Sequence, residues 1–175
     1  MTGESGNPLP ETAENRSSRV RPFRRLEPLW IVVLLLGLSG AALMVASEFE
    51  TLRSVKVLTA SCSDLALAED RGACVTQGHE EHAYALVLMG IVASLMTWGA
   101  ALGRSRSAAF ALLAIGAAVV AIALLTDLPD IHATGAIGER FDSARAGPGP
   151  GLWMEIAGGT LVLAAGAMAV IGRRR

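Results

Sequence analysis

The chain has 175 residues and a formal net charge of −1, and 52% of its residues are hydrophobic while only 5% are aromatic. A chain of this length indicates a single domain. Its apolar residues are mainly Ala, Leu, Val and Gly, which suits helices packed in lipid and argues against a water-soluble core built from large side chains. Nucleic-acid binding is not indicated, because no aromatic residues are interleaved with the arginines as stacking platforms.

The first 27 residues carry mainly Gly, Pro, Ser, Glu and Arg. Such a segment buries too little apolar surface to offset the entropy of ordering the chain. The sequence therefore predicts a disordered basic cytoplasmic tail over 1–27 and a membrane domain over 28–175. The arginines near the end of the tail are expected to lie against anionic headgroups.

Four apolar stretches follow, at about 29–46, 83–103, 108–126 and 151–172. About 20 apolar residues cross a bilayer core of ~30 Å, so each stretch predicts a transmembrane helix. The short link between the second and third stretches predicts an antiparallel hairpin. The predicted fold class is all-α: an up-down-up-down bundle of four transmembrane helices with two external loops.

The charges between the stretches predict the orientation of the bundle. The segment 47–82 has seven acids against three bases, and the segment 127–150 has four acids against two bases. Arginines lie before the first stretch, between the second and third stretches, and after the fourth stretch. Lys and Arg in short flanking segments stay on the cytoplasmic side of a membrane. We therefore expect both termini on the cytoplasmic side of the cell membrane and both acidic loops on the external side.

The two cysteines, Cys62 and Cys74, both fall in the first external loop. Outside the membrane such a pair predicts a disulfide, which would stabilise the loop by roughly 3 kcal/mol; two free thiols are the alternative. The segment between the cysteines is expected to form a short helix or turn capped by Ser63 or Asp64.

Two histidines precede the second stretch, in the order His79-Glu80-Glu81-His82. Their imidazoles would share one face of a helix, although the spacing differs from that of the zincin motif. With the cysteines they would offer four zinc ligands, whereas the simpler interpretation is a solvated polar start to the helix.

The second external segment begins with Asp127, Asp130 and His132 around Pro129. Two acids and a histidine within six residues would suit a divalent cation, and a polar helix exit is the alternative. Pro129 is expected to end the third helix, because the residue before a proline avoids the helical region.

Glu155 is the only charged residue within the four stretches and is expected about one turn below the outer surface. An acid at this depth is costly and usually pairs, faces water or carries function. Three alternatives stay open. Glu155 would reach out to the interface, pair with Arg140, Arg145 or a histidine of the loops, or form a proton or cation site.

The Arg-rich ends of the four spans, with Gly151-Leu152-Trp153 leading into a helix that contains Gly158 and Gly159, resemble small actinobacterial membrane proteins of uncharacterised function. The tryptophan-operon-associated transmembrane family is one of these. The resemblance implies a membrane location and no activity, and the external cysteine pair is not part of its pattern.

The function predicted from these features is a non-enzymatic structural, assembly or accessory component of the membrane, without a cofactor. Its expected partners are the lipid bilayer and other membrane proteins or further copies of the chain. A small transporter or channel-like oligomer using Glu155 and the external acids is one alternative, and an outer-rim enzyme or metal-binding protein is another. No catalytic residue is assigned, because neither a serine nucleophile motif nor a P-loop is present.

Overall fold

The computed structural model describes residues 28–58, 60–62 and 74–173. The predicted tail and the short helix or turn expected after Cys62 lie outside these residues. The described part is mostly helical, and its elements in chain order are α1 (Pro28–Ser47), β1 (Thr51–Val57), β2 (Ala60–Ser61), β3 (Val75–Gln77), α2 (Gly78–His82), α3 (Ala85–Ala101), α4 (Arg106–Ile122), a π-turn (Ala123–Asp127), α5 (Leu128–Asp130), α6 (Gly135–Arg140), β4 (Ala144–Pro148) and α7 (Pro150–Ile171).

Four apolar helices form the body of the protein. Helix α1 packs against α3 and α7, and α4 packs against the same two helices, so the four form a ring. Three are long and apolar enough to cross a membrane: α1, α7 and the continuous helical segment Arg106–Asp130. Helix α3 has 17 residues, or about 26 Å, and is shorter than the ~30 Å of a bilayer core. The structure therefore supports a helical membrane protein with at least three helices of spanning length.

Glycines let α7 approach its two main neighbours closely. A Cβ added to Gly158 would lie 2.8 Å from the backbone oxygen of Gly40 in α1. On another face of α7, a Cβ on Gly166 would lie 2.9 Å from the backbone nitrogen of Leu113 in α4. Helices in lipid associate through such van der Waals contacts, because the lipid provides no hydrophobic driving force for their association. These contacts set the positions of α1 and α4 around α7.

A small antiparallel sheet caps one end of the bundle, and here the expectation of a purely helical fold was incomplete. Strand β1 is central: it pairs with β4 along one edge and with β2 and β3 along the other. Its side chains Val55 and Val57 are buried against the disulfide and Ile137, whereas Leu52 is buried with Ala123 and Leu152 at the end of the bundle. The predicted disulfide between Cys62 and Cys74 is confirmed and joins the end of β2 to the start of β3.

The third helix does not end at the residue before Pro129, contrary to the prediction. A proline removes one N–H from the helical ladder, and the chain accommodates the loss with a π-turn. The backbone N–H of Leu128 donates to the carbonyl of Ala123, five residues earlier, and the helical path continues to Asp130. The turn changes which side chains point inward at this end of the bundle.

Candidate metal centre

Three polar side chains from three separate elements converge where the sheet meets the bundle. His82 is the last residue of α2, Asp127 closes the π-turn and Glu155 lies in the second turn of α7. Their ligand atoms all lie within 4.8 Å of one another. We call the His82, Asp127 and Glu155 side chains the polar cluster.

A short helix and a strained link hold His82 over the bundle. The backbone N–H of Gln77 donates to a carboxylate oxygen of Glu80, which fixes the start of α2. After His82, both Ala83 and Tyr84 have left-handed backbones, with φ of 49° and 66°. This conformation costs a non-glycine residue about 1–3 kcal/mol, and such strain often accompanies functional positions. The two residues reverse the chain so that α3 descends beneath His82.

The π-turn and α7 bring the two carboxylates to the imidazole. Asp127 ends the π-turn, and its side chain is 6% exposed. Glu155 faces the interior of the bundle on the same side of α7 as Leu152, and its side chain is 0% exposed. Glu155 therefore does not reach out to the interface, one of the alternatives left open by the sequence.

His82 lies too far from either carboxylate of the polar cluster for a hydrogen bond. The Nε2 atom of His82 lies 3.6 Å from Oδ2 of Asp127 and 3.7 Å from Oε2 of Glu155. A hydrogen bond between nitrogen and oxygen needs about 2.7–3.2 Å. These three atoms and Oε1 of Glu155 are buried and have no hydrogen-bond partner among the described residues. These buried nitrogen and oxygen atoms could therefore act as ligands to a cation.

The donor set of the polar cluster can accept a cation. In a metal-bound form, a neutral imidazole and two ionised carboxylates would together carry a charge of −2. Buried charges are normally paired or coordinate a metal. A divalent cation would balance this charge, so the donor set suits one divalent ion.

A small cleft at the surface reaches Asp127, one member of the polar cluster. Its volume is about 20 Å³, and its lining includes Asp127, Arg53, Glu81 and Asp130. The volume is sufficient for about one water molecule. The cleft therefore connects Asp127 with solvent, between the acids Glu81 and Asp130 and the cationic Arg53.

Glu48 is a buried acid that the sequence analysis did not single out. It follows α1, is 0% exposed, and accepts a 2.8 Å hydrogen bond through Oε1 from the backbone N–H of Leu86. Its Oε2 has no hydrogen-bond partner among the described residues. The signal in the sequence was its place directly after an uninterrupted apolar stretch. Glu48 anchors the first turn of α3 below the polar cluster.

The other candidates from the sequence lie elsewhere. His79 stacks on Tyr84, with ring centroids 5.6 Å apart, and its Nδ1 lies 3.3 Å from the backbone oxygen of Glu48. Asp130 and His132 are exposed, and neither belongs to the polar cluster. Arg145 is exposed on β4, and the side chain of Arg140 lies outside the described part of the chain. The cysteines are joined to each other, which removes them as zinc ligands.

No protein-family model matches the chain, and no curated protein matches it. The resemblance to the tryptophan-operon-associated transmembrane family therefore stays a prediction from the sequence.

Proposed function

We propose that this protein is a non-enzymatic, multi-pass component of the cell membrane whose external end binds one divalent transition-metal ion. His82, Asp127 and Glu155 supply the protein ligands. The metal joins α2, the π-turn and α7, and so holds the small sheet and α2 against the end of the bundle.

The distances from His82 to the two carboxylates are the single observation that carries this proposal. Ligands on one tetrahedral ion, with bonds of about 2.0–2.1 Å, lie roughly 3.4 Å apart. The observed 3.6 and 3.7 Å need to contract by only a few tenths of an ångström to meet this geometry. All three ligand atoms lie within 4.8 Å of one another, so short movements of the side chains would bring them to one ion.

The ligand types favour zinc or a similar transition metal. Imidazole suits zinc, iron and nickel, whereas magnesium and calcium prefer oxygen ligands alone. Thiolate ligands are absent from the polar cluster, since Cys62 and Cys74 form a disulfide. Zinc is therefore the metal of choice for a test, with magnesium as the contrasting ion.

A binding role fits the space better than catalysis or transport. The cleft beside Asp127 holds about one water and leaves no room for an organic substrate. A transport path would need polar groups through the bundle. Instead, Ser94, Thr97 and Thr160 donate to carbonyls one turn earlier in their own helices. These hydroxyls therefore offer no chain of sites to a moving ion.

The same proposal includes four membrane crossings with both termini in the cytoplasm. The arginines at the end of the bundle opposite the sheet, and the acids around the sheet, support this orientation. The outer faces of the helices support burial in lipid, since Leu88, Ile91 and Leu95 of α3 are exposed. Reporter fusions at Arg106 should be cytoplasmic and fusions at Lys56 external. An external reading at Arg106 would contradict the topology.

The metal is tested on the purified full-length protein, first stripped with a chelator. Elemental analysis after addition of micromolar zinc should give one ion per chain, and zinc should raise the unfolding temperature while magnesium does not. At 100 times the dissociation constant, one bound ion stabilises the folded state by about 2.7 kcal/mol.

Variants locate the ion. Glu155→Gln and Asp127→Asn each remove one ligand charge at nearly constant volume and should weaken zinc binding by at least a hundredfold. Asp130→Asn and His79→Ala are the matched controls, because they alter a nearby acid and a nearby imidazole outside the polar cluster. Binding below one equivalent in the unaltered protein, or equal losses in the controls, refutes the proposal.

A further inference from the structure

The opposite end of the bundle is basic and is organised around one tryptophan. Trp30, at the start of α1, is 3% exposed. The Cζ atom of Arg104 lies 5.1 Å from the centre of its ring, and that of Arg173 lies 5.8 Å away. Both distances are in the range of cation–π contacts. Two guanidinium groups are thus held beside one ring, close to the first residue of α4, Arg106.

A cavity of about 240 Å³ lies at this end, lined by Arg106, Phe110, Val170 and Arg173. The two arginines stand at the ends of α4 and α7, while Phe110 and Val170 lie about one helical turn further into the bundle. Phe110 is 59% exposed and therefore faces the surroundings of the helices. The cavity is basic at its outer end and apolar at its inner end.

Among the described residues, Arg173 contacts the Trp30 ring but forms no ion pair with a carboxylate. Its Nε, Nη1 and Nη2 atoms are shielded from solvent and have no hydrogen-bond partner among the described residues. Burial and the neighbouring charges of Arg106 and Arg104 lower the pKa of the Arg173 guanidinium. Unused donors on a guanidinium fit the paired oxygens of a phosphate, which Arg contacts through two parallel hydrogen bonds.

We propose that this cavity binds an anionic phospholipid. Its phosphate accepts hydrogen bonds from Arg106 and Arg173, and one acyl chain lies along Phe110 and Val170. The apolar half of the cavity favours a lipid over free phosphate, and basic pockets between membrane helices are suited to such headgroups. This inference is independent of the metal site, which lies at the other end of α7.

The experiment uses the full-length protein in a neutral detergent, titrated separately with phosphatidylglycerol, phosphatidylcholine and inorganic phosphate. Native mass spectrometry counts the lipid retained, and the unfolding temperature reports stabilisation. We expect phosphatidylglycerol to bind at least tenfold more tightly than phosphatidylcholine. Arg106→Gln and Arg173→Gln should each reduce this affinity about tenfold, the effect expected from losing one hydrogen bond to a charged group.

Two further variants separate lipid binding from general effects of charge or folding. Val170→Trp keeps every charge but fills the cavity, and it should also reduce phosphatidylglycerol retention. Arg145→Gln removes an exposed arginine from β4 and should change nothing. Equal retention of the two lipids, equal losses in Arg145→Gln, or unchanged retention in Val170→Trp would overturn the proposal. Stabilisation by inorganic phosphate equal to that by phosphatidylglycerol would identify a free-anion site instead.

Discussion

Replacement of Gly158 by alanine tests whether close helix packing positions the polar cluster. The added Cβ would lie 2.8 Å from the backbone oxygen of Gly40, 2.9 Å from Cγ of Met44 and 3.0 Å from its backbone nitrogen. Two of these atoms belong to the backbone of α1, so a side-chain rotation cannot relieve the contact. Helix α1 must therefore move away from α7.

The size of the effect follows from the distance that α1 must move. A relaxed contact needs ~3.4 Å or more, so the helices must separate by roughly 0.5 Å, and a gap of this size forfeits about a quarter of each van der Waals attraction across it. Overpacking typically costs 1–3 kcal/mol, and the gain in helix propensity from Gly to Ala offsets up to about 1 kcal/mol. We expect a net loss of about 1–2 kcal/mol.

The assay is unfolding in detergent, followed by circular dichroism, with zinc affinity measured on the same protein. Glu155 precedes Gly158 by one turn on α7, so a shift of this helix should also weaken zinc binding. Gly99→Ala is the control, because its Cβ would meet only the Cβ of Ala108, at 3.3 Å. Equal stability of Gly158→Ala and the unaltered protein would refute the packing argument.

Three further predictions concern the sheet end of the bundle. Cys62→Ser opens a loop with a sequence separation of 12 and should lower the free energy of unfolding of the cap by about 3 kcal/mol, measured by urea titration; an unchanged midpoint would show that the disulfide contributes no stability. Ala83 has a left-handed backbone, which glycine adopts without strain, so Ala83→Gly should raise the free energy of unfolding by about 1 kcal/mol in the same titration. A lower free energy of unfolding would show that the link is unstrained. Zinc affinity, measured by competition with a coloured chelator, should fall from pH 7 to pH 5, because binding requires deprotonated ligands and therefore releases protons; an affinity independent of pH would contradict coordination by the polar cluster.

The positions of the apolar helices and the disulfide follow from the sequence because each depends on local information. Apolar runs of about 20 residues have few stable solutions other than a helix in lipid, since every backbone group must be bonded within the segment. The cysteines are the only two in the chain, so only one intramolecular pairing is available. Glu155 was also identifiable, as a single charge in an otherwise apolar stretch.

The sheet was not predicted, because its pairings join distant parts of the chain. Strand β1 is short, and its longest partner, β4, lies in the other acidic segment. Apolar alternation over so few residues does not distinguish a strand from a loop until the partner strand is known. The predicted end of the third helix was wrong for a related reason. The proline rule considers only neighbouring residues, whereas a π-turn supported by the surrounding bundle lets the helical segment continue past Pro129.

The sequence left open that Glu155 meets a loop histidine or the external acids, and the tertiary structure decided which of these residues form the polar cluster. The sequence grouped His82 with His79, and Asp127 with Asp130 and His132, because these residues are neighbours in the chain. In the fold, a left-handed link at Ala83 and Tyr84 and the π-turn before Pro129 change the directions of the side chains. One member of each group then meets Glu155, since the packing of the bundle, and not distance along the chain, determines which donor atoms share a buried space.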